Sequence, residues 1–259
     1  MITAGIDIGS VTTKCVVLVN GAVKGMALEY TKADPAGAAK SSLKAALSKA
    51  GVSKTKLNLI ATTGYGRRAV DFGDMVVTEI SANAKGAKFI GCDFGQIRTI
   101  IDLGGQDSKV IVLDENGVIS NFIMNDKCSA GTGRFLEVMA GILGTNIDRL
   151  GEISLKSKNP LKINSTCTVF AESEVVSLIA RKKRKEDIIA GLHEAIAKKI
   201  SIMGREVGIR DAVFFDGGGA KNKGLHAALE KQLGRKIYVP KEPQFVTATG
   251  AALYAAENK

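Results

Sequence analysis

The stretch from Ile101 to Leu136 places two kinds of reactive chemistry close together in the chain. Asp102 stands shortly before Gly104-Gly105, at the end of an apolar run. Glycines at a strand end let main-chain N–H groups approach a phosphate because no Cβ blocks the way, and a neighbouring carboxylate can hold the magnesium of a nucleotide. Cys128 precedes a segment with helical character, where unpaired N–H groups and the helix dipole favour the thiolate that metals bind. Taken alone, these residues also fit an ordinary turn followed by a buried cysteine.

Three glycine turns follow apolar runs along the chain. They are Asp7-Ile8-Gly9-Ser10, Asp102-Leu103-Gly104-Gly105 and Asp216-Gly217-Gly218-Gly219. The chain contains neither the GxxxxGK[ST] phosphate loop nor a GxGxxG turn after a strand. The segments Ala4–Ser10 and Thr99–Gly105 share the order strand, aspartate, apolar residue, glycine and small residue, and a hairpin follows each. This repeat predicts two related lobes.

Predicted strands and helices alternate along the chain, which indicates an α/β fold. Asn20-Gly21 and Asn116-Gly117 each lie between apolar runs and predict hairpin turns. The longest helix is expected from Asp187 to Val207, where apolar residues recur at helical spacing. A short strand is expected at Leu161–Ile163. We expect an N-terminal lobe at 1–95, a C-terminal lobe at 96–245 and a closing helix at 246–259.

The composition fits a globular protein that handles acidic or nucleotide ligands. The chain has 259 residues, of which 45% are hydrophobic, and its formal charge of +10 fits an acidic partner, a nucleotide or a nucleic acid. Aromatic residues make up 5% and tryptophan is absent, so we do not expect a nucleic-acid partner. No apolar run has the length of a membrane span and the N-terminus lacks a secretion pattern, so we expect a cytoplasmic protein without membrane contact.

The three glycine turns, in this order, resemble those of the actin-like ATPases, the ribonuclease H-like fold of sugar kinases, actins and heat-shock chaperones. The resemblance implies that the first two turns bind the phosphates of ATP and that the third binds adenosine. Asp7 and Asp102 would face Mg²⁺ and the attacking water, and Lys14 would neutralise phosphate charge. We also consider Gln106, on two alternatives: its amide senses the γ-phosphate, or it only caps the second glycine turn. Further nucleotide contacts are expected from Gly9, Ser10, Val11, Thr12, Thr13, Gly104, Gly105, Gly217, Gly218, Gly219, Ala220, Asn222 and Gln244.

Cys128 and Cys167 share a context that the other cysteines lack. Each follows a polar break and precedes a predicted helix, in NDKCSAGTGRF and STCTVFAESEV, whereas Cys15 and Cys92 are expected to be packing residues. Two thiolates are too few for a four-ligand iron–sulfur or zinc site, but a two-fold dimer would supply four, with the metal on its axis. Spacing alone favours two buried thiols.

These cysteine motifs, with IDLGGQDSK and ATTGYGRR upstream, closely resemble the activator components of 2-hydroxyacyl-CoA dehydratases, which are relatives of the ATP-binding subunits of benzoyl-CoA reductases. The resemblance implies a homodimer with one 4Fe–4S cluster held between the subunits by Cys128 and Cys167. It also implies that Mg²⁺-dependent hydrolysis of ATP to ADP drives a low-potential electron from ferredoxin or flavodoxin into a partner iron–sulfur protein. Asn83 stands where the family pattern has a histidine, and a related branch reduces double-cubane cluster proteins. The expected partner is therefore a dehydratase or a double-cubane cluster protein.

Two other functions fit the same fold. A small-molecule (sugar) kinase would carry a sugar pocket and give the cysteines no role. An ATP-dependent assembly protein would form filaments and hold no metal. The colour of the purified protein separates them, because only the electron donor would be brown after anaerobic purification.

Overall fold

The structure, a computed structural model, describes residues 1–126, 128, 130–163 and 168–258. Within these ranges no helix is both long enough and apolar enough to cross a bilayer. The strands and helices, in chain order, are β1 (Ile2–Ile8), β2 (Thr12–Val19), β3 (Ala22–Tyr30), α1 (Pro35–Ala50), β4 (Leu59–Thr63), β5 (Met75–Val76), α2 (Glu79–Ile90), β6 (Thr99–Leu103), β7 (Ser108–Leu113), β8 (Ile119–Asn125), α3 (Gly133–Ile142), α4 (Leu150–Ser154), α5 (Thr168–Ala180), α6 (Lys185–Val207), β9 (Val213–Asp216), α7 (Lys223–Leu233), β10 (Ile237–Tyr238) and α8 (Val246–Glu257).

The chain forms two compact units, and each is built on its own mixed sheet. Unit 1 contains Met1–Ile97 and the C-terminal segment that begins at Pro240, and unit 2 contains Arg98–Val239. The strand orders are β3-β2-β1-β4-β5 in unit 1 and β8-β7-β6-β9-β10 in unit 2. In each sheet the first three strands pair antiparallel and the last three pair parallel. The predicted duplication is therefore confirmed in both strand order and strand direction.

The core of unit 1 follows the alternation of side chains along its strands. On β2, Cys15 and Val17 pack with residues of α1, while Val16 and Leu18 pack with residues of α8. Successive side chains of a strand point to opposite faces of the sheet, so the two helices cover different faces. Cys15 is fully buried, as predicted, and this burial raises the pKa of its thiol.

Helix α8 packs against β1 and α2 at main-chain distance, although it follows all of unit 2 in the sequence. A Cβ built on Gly5 would lie 2.1 Å from the Ala248 carbonyl oxygen, and one on Gly250 would lie 1.7 Å from the Ala82 carbonyl oxygen. Only glycine permits such approaches, since any side chain there would overlap main-chain atoms. The glycine inside the closing helix is therefore a requirement of packing.

Helix α6 runs through the core of unit 2. Its apolar residues at helical spacing are buried, as the sequence predicted, namely Ile188, Leu192, Ile196, Ile200 and Met203. The helix ends at Gly208, whose φ of 80° is the left-handed conformation that glycine adopts at helix C-termini.

Two predictions about local structure are wrong. Leu161–Ile163 is not a strand: the Leu161 N–H donates to the Asp187 carbonyl oxygen at 3.0 Å, and a Cβ on Gly191 would lie 1.9 Å from the Leu161 carbonyl oxygen. The segment thus packs against α6 and not within a sheet. Cys92 is exposed and not a packing residue, because it begins a short 3₁₀ turn after α2 at the surface.

Candidate functional site

The first glycine turn is organised around a partly buried ion pair. Asp7 on β1 and Lys14 on β2 face each other across the antiparallel ladder, and the Lys14 Nζ lies 3.0 Å from the Asp7 Oδ2. The Gly9 N–H closes the turn on the Thr12 carbonyl oxygen at 3.2 Å. The Thr31 hydroxyl donates to the Gly9 carbonyl oxygen at 2.7 Å and so stabilises the turn. A charged pair is thus held next to a glycine turn, the kind of main-chain turn that binds anions.

The other residues predicted to contact nucleotide in this turn differ in burial. Ser10, Val11 and Thr12 are partly exposed at the turn. Thr13 is fully buried, and its hydroxyl lies 2.9 Å from the Thr31 hydroxyl. Main-chain atoms at 9–12 are therefore the part of this segment best placed to meet a ligand.

The second glycine turn repeats the arrangement in unit 2 with an added carboxylate. Asp102 on β6 faces Lys109 on β7, and the Lys109 Nζ lies 3.2 Å from the Asp102 Oδ2 and 2.8 Å from the Asp107 Oδ2. Lys109 is only 1% exposed, and the Gly104 N–H closes the turn on the Asp107 carbonyl oxygen at 3.0 Å. This turn carries one more negative charge than the first, which suits a bound divalent cation.

Sequence reasoning missed Lys109 and Asp107. The signal for Lys109 was available, because Lys14 and Lys109 hold the same position relative to their aspartates in the two repeats. Asp107 has a threonine, Thr12, at the equivalent position of the first repeat, so the repeat alone did not point to it. Gln106, predicted to sense the γ-phosphate, is exposed beside this turn.

A second glycine segment passes directly against each aspartate. Gly217 follows β9 with φ of 77°, and a Cβ there would lie 2.5 Å from the Asp102 Oδ1. Gly64 follows β4 with φ of 85°, and a Cβ there would lie 2.5 Å from the Asp7 Oδ1. Both positions combine a left-handed backbone with close approach, which only glycine satisfies. Gly64 was not among the predicted site residues, although it belongs to the GYG motif that supported the resemblance.

The predicted adenosine segment contains both open and buried positions. Gly218 is exposed, whereas Gly219 and Ala220 are buried, and a Cβ on Gly219 would lie 2.4 Å from the Leu103 Cδ2. Gln244 lies in unit 1, in the short 3₁₀ turn Pro243–Phe245 that precedes α8. Bare main chain at Gly217 and Gly218 is thus the surface that this segment offers to a flat ring.

Asn222, also predicted to contact nucleotide, is hydrogen-bonded within unit 2. Its Oδ1 accepts from the Leu225 N–H at 3.0 Å and caps α7, and its Nδ2 lies 3.0 Å from the His193 Nε2. The His193 Nδ1 lies 3.0 Å from the Ser154 hydroxyl, which itself donates to the Gly151 carbonyl oxygen. Burial lowers the pKa of His193 from 6.5 to about 3. The ring is therefore neutral, with its proton on Nδ1 and Nε2 accepting from Asn222.

Cys128 lies in an irregular segment between β8 and α3, which we call the Cys128 loop (the described residues Asp126, Cys128 and Ala130–Thr132). Its thiol is half-buried and packs against the core of unit 2, and its carbonyl oxygen accepts from the Asn125 Nδ2 at 2.8 Å. The first N–H groups of α3, those of Gly133 and Arg134, donate to the carbonyl oxygens of Gly104 and Gly105, each at 2.8 Å. These two N–H groups of the helix start therefore bond to the second glycine turn.

Cys167 lies outside the described residues, and α5 begins directly after it at Thr168. Among the described residues, no three histidine, cysteine, aspartate or glutamate side chains come together in a way that could hold a metal ion.

Known proteins are similar to this chain in sequence over nearly its whole length. The model of the BadF/BadG/BcrA/BcrD ATPase family matches residues 4–255. The chain is 43% identical over 260 residues to the 2-hydroxyisocaproyl-CoA dehydratase activator of Clostridioides difficile, covering 100% of this chain and 96% of that protein. It is also 43% identical over 255 residues to the (R)-2-hydroxyglutaryl-CoA dehydratase activating ATPase of Acidaminococcus fermentans, covering 98% and 96% of the two chains.

Solved structures give the same result. The activator of the 2-hydroxyisocaproyl-CoA dehydratase from Clostridium difficile with bound ADPNP superimposes with a TM-score of 0.94 at 42% identity, covering 99% of this chain and 95% of that one. A ROK family glucokinase from Streptomyces griseus, with a TM-score of 0.59 at 14% identity and full coverage of both chains, shares the fold alone. The predicted actin-like ATPase fold is thereby confirmed. With a family model over nearly its whole length and close relatives of matching length, the chain belongs to the BadF/BadG/BcrA/BcrD ATPase family.

Proposed function

We propose that this protein is an ATP-hydrolysing activator that passes a low-potential electron to a partner iron–sulfur protein, either a 2-hydroxyacyl-CoA dehydratase or a double-cubane cluster protein. Two relatives at 43% identity are named as an activator and an activating ATPase of such dehydratases. The small-molecule kinase is not favoured, because the glucokinase has only 14% identity and shares the fold alone.

The observation that carries the proposal is the direct bonding between the second glycine turn and the start of α3, the helix that follows the Cys128 loop. The carbonyl oxygens of Gly104 and Gly105 accept the first N–H groups of α3, and α3 follows immediately after the Cys128 loop. A Cβ on Gly133 would lie 3.0 Å from the Gly104 carbonyl oxygen, so a side chain there would press tightly against the turn. A shift of the turn on nucleotide binding or hydrolysis therefore reaches the loop through two hydrogen bonds.

The two glycine turns would bind the phosphates of ATP through main-chain N–H groups at 10–12 and 105–106, because the N–H groups of Gly9 and Gly104 close the turns themselves. Asp7 and Asp102 would hold Mg²⁺ and orient the attacking water, and Lys14 would offset the charge that develops in the transition state. Gln106, exposed beside the second turn, would contact the γ-phosphate. Different contacts to ATP and ADP would then supply the free energy that shifts the chain between two conformations.

Cys128 and Cys167 would hold a 4Fe–4S cluster, to which a second copy of the chain contributes the same two residues. The donor set fits the group, because cysteine thiolates are the usual ligands of iron–sulfur clusters and the Cys128 thiol is partly accessible in an anchored loop. When bound, such a cluster supplies one-electron transfer at low potential.

Helix α5 supports the homodimer. Only Ala171 and Val175 of its residues are buried, whereas Val169 and Phe170 in its first turn are 66% and 69% exposed. Val176 is also exposed, so apolar surface continues along the helix. Apolar surface of this kind on one element marks an interaction site. Because α5 follows Cys167 directly in the sequence, an interface on this helix would lie close to a proposed ligand.

The partners follow from the electron path. Ferredoxin or flavodoxin would reduce the activator, and the dehydratase or double-cubane cluster protein would accept the electron. All of these are expected in the cytoplasm, and the net charge of +10 suits acidic partners.

Anaerobic purification of the wild-type chain and of four cysteine-to-serine variants tests the proposal. Wild-type protein should be a brown dimer with about four irons per dimer. Cys128→Ser and Cys167→Ser should lose the iron, while Cys15→Ser and Cys92→Ser serve as matched controls and should retain it. A colourless wild-type protein, or iron retained in either of the first two variants, contradicts the cluster assignment.

A further inference from the structure

Lys199 on helix α6 forms hydrogen bonds at the Cys128 loop. The Lys199 Nζ donates to the Ala130 carbonyl oxygen at 2.6 Å and to the Asn125 Oδ1 at 3.1 Å. One ammonium group thus joins Asn125, the last residue of β8, to Ala130 in the loop. Bonds from a charged donor are stronger than bonds between neutral groups, so this contact holds the loop more firmly than an amide would.

Asn125 extends the contact to the cysteine itself. With its Oδ1 occupied by Lys199, its Nδ2 donates to the Cys128 carbonyl oxygen at 2.8 Å. The order Lys199, Asn125, Cys128 therefore forms a continuous hydrogen-bonded chain from α6 to the proposed ligand. The bond from Lys199 also fixes which way the Asn125 amide points.

The lysine stem fits a gap that a glycine leaves. Gly131 has φ of 92°, and a Cβ there would lie 3.1 Å from the Lys199 Cδ. The aliphatic part of Lys199 thus packs against Gly131, and its ammonium group bonds to the Ala130 carbonyl oxygen. Gly133 and Arg134, which follow the loop directly, are bound to the second glycine turn. Cys128 therefore lies between two anchors, of which one belongs to the nucleotide turn and the other is Lys199.

We propose that Lys199 is a positioning residue for the iron–sulfur cluster, an inference that rests on the proposed function. It orients the Cys128 loop and holds a positive charge at the Ala130 carbonyl oxygen of that loop. Residues that orient metal ligands and carry charge set both the retention of a metal and its reduction potential. A positive charge stabilises the reduced cluster, which carries one more negative charge, so loss of the lysine should make the potential more negative.

The test compares Lys199→Met, Lys199→Arg and Lys198→Met in the full chain, purified anaerobically as the dimer. Lys198 is the matched control, because it is exposed on the same helix. We expect Lys199→Met to lose iron to a chelator about 10–100-fold faster than wild type, and to show a more negative midpoint potential. Lys199→Arg should restore the potential because it keeps the charge, and Lys198→Met should match wild type in both measurements.

Hydrogen exchange of the iron-free protein separates the inference from the proposed function. Main-chain amides of the Cys128 loop should exchange faster in Lys199→Met than in Lys198→Met, because one anchor is lost. Equal exchange in the two variants overturns the anchor whether or not iron binds. Equal potentials in the two iron-loaded variants overturn the electrostatic role. A wild-type protein without iron overturns the proposed function, and with it the role of Lys199 at a cluster, while the exchange measurement still decides the anchor.

Discussion

The neutral histidine behind the third glycine turn makes the stability of unit 2 depend on pH. His193 accepts from Asn222 through Nε2, and protonation of Nε2 would turn this acceptor into a donor facing the Asn222 amide N–H. The Asn222 cap of α7 would then lose the bond that orients it. The perturbation to test is therefore a fall in pH, compared between wild type and His193→Gln.

The magnitude follows from the two pKa values. The histidine has its ordinary pKa of 6.5 when exposed and a pKa of about 3 in the folded chain. Because the folded-state pKa of His193 is lowered, its contribution to stability is fully present above 6.5 and is lost as pH falls toward 3. Below about pH 6 the loss approaches about 1.4 kcal/mol per pH unit, which amounts to about 2 kcal/mol between pH 6.5 and 4.5.

Urea unfolding of the iron-free protein at a series of pH values provides the assay. The free energy of unfolding of wild type should fall more steeply with decreasing pH than that of His193→Gln, and the two curves should diverge by about 2 kcal/mol over this range. His226→Gln is the control, because His226 is partly exposed. Parallel curves for wild type and His193→Gln would refute the neutral, buried ring.

Three further predictions concern the glycine turns. Asp102→Asn should lower ATP turnover by about 10²–10⁴-fold while leaving the iron content near that of wild type; unchanged steady-state hydrolysis would exclude Asp102 from the reaction. Gln106→Ala should keep the cluster but raise the number of ATP molecules consumed per electron delivered to the partner, and a wild-type ratio at a normal rate would show that Gln106 is not the sensor. Gly217→Ala should lower hydrolysis well beyond its cost in stability, because the new Cβ displaces the Asp102 carboxylate. Gly234→Ala is its control, since Gly234 has a similar φ of 62° but open space around it; equal hydrolysis in the two variants would contradict the steric argument.

Local patterns carried most of the fold prediction. Helix α6 was predicted from the spacing of its apolar residues, and the hairpins were predicted from Asn-Gly pairs, because both signals reside in neighbouring residues. Leu161–Ile163 was wrongly predicted as a strand because a short apolar run has no period that separates a strand from a segment packed on a helix. Their conformation is decided by packing against α6, and the sequence of these three residues carries no information about that helix.

The sequence by itself determined the family, the α/β class, the duplicated aspartate–glycine turns and the two cysteine motifs, since each is a short pattern with a local steric or chemical cause. Only the tertiary structure decided which side chains meet. The pairing of Lys109 with two carboxylates depends on strand register and turn closure, and the neutral state of His193 depends on burial among three helices. The anchor from Lys199 to the Cys128 loop likewise joins elements far apart in the chain. Such contacts arise when distant segments pack in three dimensions, and the order of residues along one chain does not specify those distances.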